Sequence, residues 1–273
     1  MSYATLLVYV DAAEEAETAV RAAAGLADRF NATLIGLCAL EVRPQFVTAG
    51  VVLPDAVQAD IREKRAKLAD KGVWFRSIAE PGRRKVEWRA MLDFPTEALA
   101  REARCADLVV VRRAAGSPDP YSALDPGGAI LSVGRPVLVV PDGVVAPRAE
   151  HVVIGWKERR EARRALRDAL PFLRDAGRVT IVEICNRGEE DAARDHMDDV
   201  ARYLERHRIN GGPRVILHQN GSGAAALIKV AAEEGADLLV TGAYGHSRLG
   251  EWMFGGVTRD LLATSPICCL MSH

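Results

Sequence analysis

Ala103-Arg104-Cys105-Ala106-Asp107-Leu108-Val109-Val110 and Glu233-Glu234-Gly235-Ala236-Asp237-Leu238-Leu239-Val240 are one phrase written twice in the same chain. Each passes through Ala-Asp into a short apolar run of the kind that forms a buried strand. Further along, residues 136–140 answer residues 266–270, each behind a Gly-Gly pair at a helix start, Gly127–Gly128 and Gly255–Gly256. A repeat of this length is far larger than a solenoid unit, so it predicts two α/β domains.

Working outward, the first half reads as strands at 6–10, 32–40, 85–89, 107–111 and 136–140. Helical patterns at 14–29, 55–71, 95–104 and 127–132 fall between them, and 41–54 reads as loose, punctuated by Pro44, Gly50 and Pro54. After a linker at 141–150 the order restarts, with strands at 152–155, 179–184, 214–218, 237–241 and 267–271. Its helices are expected at 161–173, 191–206, 224–233 and 257–262. Strands that run as apolar β-branched blocks, without alternation, predict parallel sheets covered on both faces. The expected fold is therefore α/β, two tandem open-twisted five-stranded parallel-sheet domains over 1–143 and 150–273. The apolar strand at 267–271 would be a sheet edge, and edges invite pairing. Residues 136–140 are the expected partner within the chain, giving an internal pseudo-dimer that is free to pair again as a homodimer.

The 273 residues carry 36 Lys+Arg against 37 Asp+Glu, which argues against a nucleic-acid backbone reader. The Arg159–Arg160 and Arg163–Arg164 pairs lie on a helical pattern beside Glu158 and Glu161 and read as a solvated face. The opening MSYATLLVYVD reads as a strand, neither a signal peptide nor a membrane span, so a cytoplasmic protein without membrane contact is expected. No CxxC pair is present, which disfavours a zinc site or a disulfide framework. Cys105, Cys185 and one of Cys268 and Cys269 read as small buried apolar residues, the last two on opposite faces of a strand.

The chemistry concentrates in Thr241-Gly242-Ala243-Tyr244-Gly245-His246-Ser247-Arg248-Leu249-Gly250, followed by Glu251-Trp252-Met253-Phe254-Gly255-Gly256-Val257-Thr258. Glycine lets a phosphate approach backbone N–H groups and allows positive φ, a need expected at Gly245. The helix start over 255–258 offers unsatisfied donors and the positive end of a dipole. There is no Walker A sequence, and the spacing is not the dinucleotide fingerprint. The bland alternative is a Gly-rich turn with a helix cap.

The spacing Gly242-x2-Gly245-x9-Gly255, after a fourth parallel strand and before a short helix and a last strand, resembles the universal stress protein family. The opening strand with Asp11-Ala12-Ala13-Glu14-Glu15-Ala16 and the phrase RALRDALPFL at 164–173 resemble it too. The resemblance covers the whole chain as a tandem pair with the adenine nucleotide alpha hydrolase-like fold. It implies a regulatory stress-response protein that binds ATP or AMP and has little or no catalysis of its own. By the same resemblance Gly242, Gly245, Gly255 and Gly256 would line phosphate and ribose, and His246 would order the loop or touch phosphate. Ser247, Arg248, Val257 and Thr258 would complete the cradle. The position of the family's acid after the first strand falls on Asp11 in the first domain and on Lys157 in the second. In the first domain Arg113 stands at the first glycine position and Pro118, Pro120 and Pro126 remove donors, so no cradle of the usual kind is expected there. The expected ligand is thus a nucleotide or other small anion held by the second domain, with a regulatory protein as further partner. The alternatives are an interaction module that binds no nucleotide and a weak nucleotide hydrolase. Against the hydrolase, His246 is the only general-base candidate near the loop.

Overall fold

A computed structural model describes residues 2–12, 17–42, 47–48, 51–52, 54–82, 85–113, 119–144, 147–217, 222–245 and 256–273. The first half runs β1 (Thr5–Tyr9), α1 (Glu17–Phe30), β2 (Thr33–Ala39), a small hairpin β3 (Val47–Thr48) and β4 (Val51–Val52), then α2 (Pro54–Ala79). It continues with β5 (Val86–Met91), α3 (Pro95–Glu102), a single 3-10 turn, β6 (Leu108–Arg112), α4 (Pro126–Ser132) and β7 (Val137–Val140). The second half runs β8 (His151–Trp156), α5 (Arg160–Asp168), α6 (Leu170–Leu173), β9 (Arg178–Cys185) and α7 (Glu190–Arg206). It closes with β10 (Gly211–Leu217), α8 (Gly223–Glu234), β11 (Leu238–Gly242), α9 (Gly256–Thr264) and β12 (Cys268–Ser272).

All strands but the hairpin join one ten-stranded sheet, in the order β10-β9-β8-β11-β12-β7-β6-β1-β2-β5. Each half contributes five parallel strands with the order third, second, first, fourth, fifth. The halves meet where β12 runs antiparallel to β7, with Cys269 opposite Val139, Leu270 opposite Leu138 and Met271 opposite Val137. The two apolar edges expected from the sequence therefore cover each other.

The repeated Ala-Asp phrase has a local cause. Asp107 accepts the N–H groups of Ala4 and Thr5 at 2.8 and 3.0 Å, fixing the start of β1. Asp237 does the same for Glu150 and His151 at 3.3 and 3.2 Å, at the start of β8. In each domain a carboxylate at the entry to the fourth strand satisfies donors that begin the first.

Helices cover both faces. One apolar core packs α1, α2, α5, α6 and α7 on the sheet, the other α3, α4, α8 and α9. The first core crosses the seam. Tyr3 and Phe30 meet Phe172 of the second half edge-on, with centroids 5.6 and 5.3 Å away. Arg113 also crosses it, donating to the Ser265 carbonyl at 2.8 Å. Cys268 and Cys269 fall in opposite cores and both are buried, because β12 is covered on both sides. Cys105 departs from the expectation: it is exposed, its thiol beside Arg89 and bonded to the Glu102 carbonyl.

In the first domain α4 begins with its own anion. Asp125 caps it, accepting from Gly127 and Gly128 N–H at 3.0 Å each. Asp125→Ala should lower stability by about 1 kcal/mol, the usual worth of such a cap. Urea unfolding indistinguishable from the parent protein would show that the cap contributes nothing.

Candidate functional site

In each half the strand order reverses beside the first strand, and α/β sheets open a crevice at the carboxyl ends of such a pair. In the second domain that crevice is a cleft of about 470 Å³ between β8 and β11. Val182 and Ile184 of β9 and Leu227 of α8 give it an apolar lining, and the starts of α8 and α9 close it. Gly223 and Val257 bring those two helix starts together: a Cβ on Gly223 would sit 3.1 Å from Val257 Cγ2.

Of the residues read as ligand contacts, Lys157, Gly242, Gly245, Gly256, Val257 and Thr258 border this cleft. His246, Ser247, Arg248 and Gly255 lie outside the described residues, as do Trp252 and Phe254. The two loop glycines have different surroundings. A Cβ on Gly242 would fall 2.6 Å from Ala162 N and Glu161 C, so the end of β11 lies directly against the first turn of α5. A Cβ on Gly245 would lie 3.1 Å from the Glu161 carboxylate, whereas one on Gly256 would have nothing within 4 Å among the described residues.

The left-handed backbone expected at Gly245 falls instead on Tyr244, at φ 56°. Tyr244 N–H donates to Thr258 Oγ1 at 3.2 Å, which ties the loop to the first turn of α9. Its phenol reaches the first domain, 2.6 Å from where a Cβ on Gly127 would be. Burial and the nearby Asp125 carboxylate raise the phenol pKa, so the ring stays protonated.

The charges of the cleft are mixed. Lys157 and Arg159 are exposed on its rim, and Asp260 also borders it. Arg160, Arg163 and Arg164 are exposed as expected, but Glu161 is not part of that solvated face. Its side chain is only 6% exposed, with Oε1 accepting from Arg160 Nε at 2.5 Å. Burial works to raise its pKa, but the Arg160 bond, its own backbone and the charge of His273 outweigh that, and the carboxyl stays below its ordinary value. A first-turn acid is also favoured by the helix dipole. The sequence signal that could have found Glu161 is its place four residues after Lys157, in the first turn of the helix that leaves the first strand.

The sequence profile of the Universal stress protein family matches residues 2–119 and again residues 148–273. The chain belongs to the universal stress protein family. No curated protein matches this universal stress protein. Among solved structures it is similar to a universal stress protein from Archaeoglobus fulgidus DSM 4304, at 14% identity and TM-score 0.72, covering 98% of this chain and 97% of that one. It is also similar to a functionally unknown protein from Pseudomonas aeruginosa PAO1, at 12% identity and TM-score 0.63, covering 99% and 92%. At these identities the likeness is one of fold. Both matches span the two domains, so the tandem arrangement of this universal stress protein occurs in those chains as well.

Proposed function

We propose that the second domain binds an adenine nucleotide, ATP or AMP, and that the protein acts by reporting its occupancy to a regulatory partner in the cytoplasm. The supporting observation is the cleft at the strand-order reversal of the second domain. There an apolar lining lies beside a glycine loop, the start of α9 at Gly256 and two cations on the rim. An apolar wall suits a base, and free helix N–H groups suit a phosphate. The first domain offers no equivalent helix start, because Asp125 already takes the N–H groups of Gly127 and Gly128.

Mass spectrometry of the natively purified protein, followed by titration calorimetry with ATP and AMP, tests this directly. Binding at one site per chain is expected. Gly245→Val should weaken it on the order of 100-fold, since the new side chain meets the Glu161 carboxylate and fills the cradle. Binding that survives Gly245→Val unchanged would move the ligand elsewhere. No binding of either nucleotide would leave an interaction module of the same fold.

A further inference from the structure

The charge that decides what fits the cleft is Glu161. Its carboxylate is fixed beneath Gly245, with Oε2 3.1 Å from where that residue's Cβ would project. Gly245 is the backbone on which the proposed reading lays a phosphate. Arg160 pairs with the other oxygen, but the Arg160 side chain is 65% exposed while Glu161 is buried. Water therefore screens the Arg160 cation more than the Glu161 anion, so the pairing leaves part of the carboxylate's charge acting at Gly245. Lys157, Arg159, Glu161 and Asp260 are the charged side chains of the described lining, which therefore carries no net positive charge, and Arg159 Cγ lies 3.8 Å from the same Cβ position on Gly245. A triphosphate would bring about four negative charges into this setting, a monophosphate about two and a nucleoside none.

We propose that Glu161 makes the cleft selective for adenine ligands with few phosphates, adenosine and AMP, and against ATP. This rests on the nucleotide reading of the same site. Lys157 fits the selection: it offers donors to a single phosphate at the rim, where an acid would offer acceptors to a ribose or an amino group. The first domain shows the limiting case, in which a protein carboxylate, Asp125, takes the helix start outright.

Calorimetry of the full chain with adenosine, AMP, ADP and ATP at low salt needs no variant to test this. AMP is expected to bind at least about 10-fold more tightly than ATP, with ADP between. Glu161→Gln should then raise ATP affinity by about 10-fold, AMP affinity by less than about 3-fold and leave adenosine unchanged. Far-UV circular dichroism checks that the variant folds, and the parent series stands if it does not. ATP binding as tightly as AMP in the parent protein would overturn the selectivity alone and leave the nucleotide reading intact. Loss of adenosine binding in Glu161→Gln would also overturn it, because the carboxylate would then be reading a donor on base or ribose. Failure of all four ligands to bind would overturn the nucleotide reading, and this inference with it.

Discussion

Replacing Gly242 with valine lowers the stability of the second domain by about 3 kcal/mol, with or without any ligand. The obstacle is backbone. A Cβ at this position falls 2.6 Å from Ala162 N and Glu161 C and 2.9 Å from Glu161 Cβ. A flexible side chain would swing aside, but these atoms belong to the first turn of α5, and that helix is anchored by Ala162, Ala165 and Leu166 in the core. The helix must shift away from β11, and the cleft wall shifts with it. Gly256→Ala serves as the comparison, since no described residue comes within 4 Å of its Cβ position. Its effect on stability should stay within about 0.5 kcal/mol. Urea unfolding followed by tryptophan fluorescence reads both, with buried Trp156 close to the affected helix. A Gly242→Val protein that unfolds at the parent midpoint would refute the close approach of β11 and α5.

The second large effect belongs to the seam. Leu138 and Leu270 face each other across β7 and β12, and neither has any exposed surface. Truncating either to alanine should cost about 2–5 kcal/mol from lost burial and an unfilled cavity. Truncating both should cost less than the sum, because the two side chains share one packing site. The parent protein is expected to unfold both halves together, since one core runs through Tyr3, Phe30 and Phe172 across the joint. The double variant should separate that transition into two steps in a urea titration followed by far-UV circular dichroism. Strict additivity in the double variant would mean that the two leucines do not share a site.

Much of this architecture is legible in the residues, and the exceptions have physical causes. The duplicated Ala-Asp phrase marks each fourth strand because that carboxylate must reach back to the first one. The helix expected over 55–71 runs on to Ala79 through Gly72, a residue that reads as a stop. Gly72 is there for space: a Cβ on it would lie 2.6 Å from Trp88 Nε1, and Trp88 packs on Phe75 one turn later. The helix expected over 161–173 is broken at Ala169, since Pro171 has no N–H to continue it. The hairpin of β3 and β4 was hidden in a stretch that pattern alone reads as loose.

At the candidate site the glycine spacing identified the strand end and helix start that border the cleft. It could not reveal which side chains the fold brings there from elsewhere. Val182, Ile184, Ser222 and Leu227 come from elements with no motif of their own. Glu161 was obscured by its arginine neighbours, because a run of alternating charge looks the same whether one member turns inward or not. Lys157 was visible at once, as a cation standing where the family's acid belongs.

Because the two halves belong to one chain, joined through the segment between β7 and β8, the meeting of β7 with β12 is a first-order event. A short tether of this kind holds its two ends at an effective concentration in the millimolar range, on the order of 1 mM. The same seam between separate chains would loosen on dilution, and each freed half would carry an unpaired apolar edge into solution. Here dilution changes nothing at the joint. Each half is supplied with its partner at a fixed ratio of one to one, so neither edge strand has to find a second molecule to be covered.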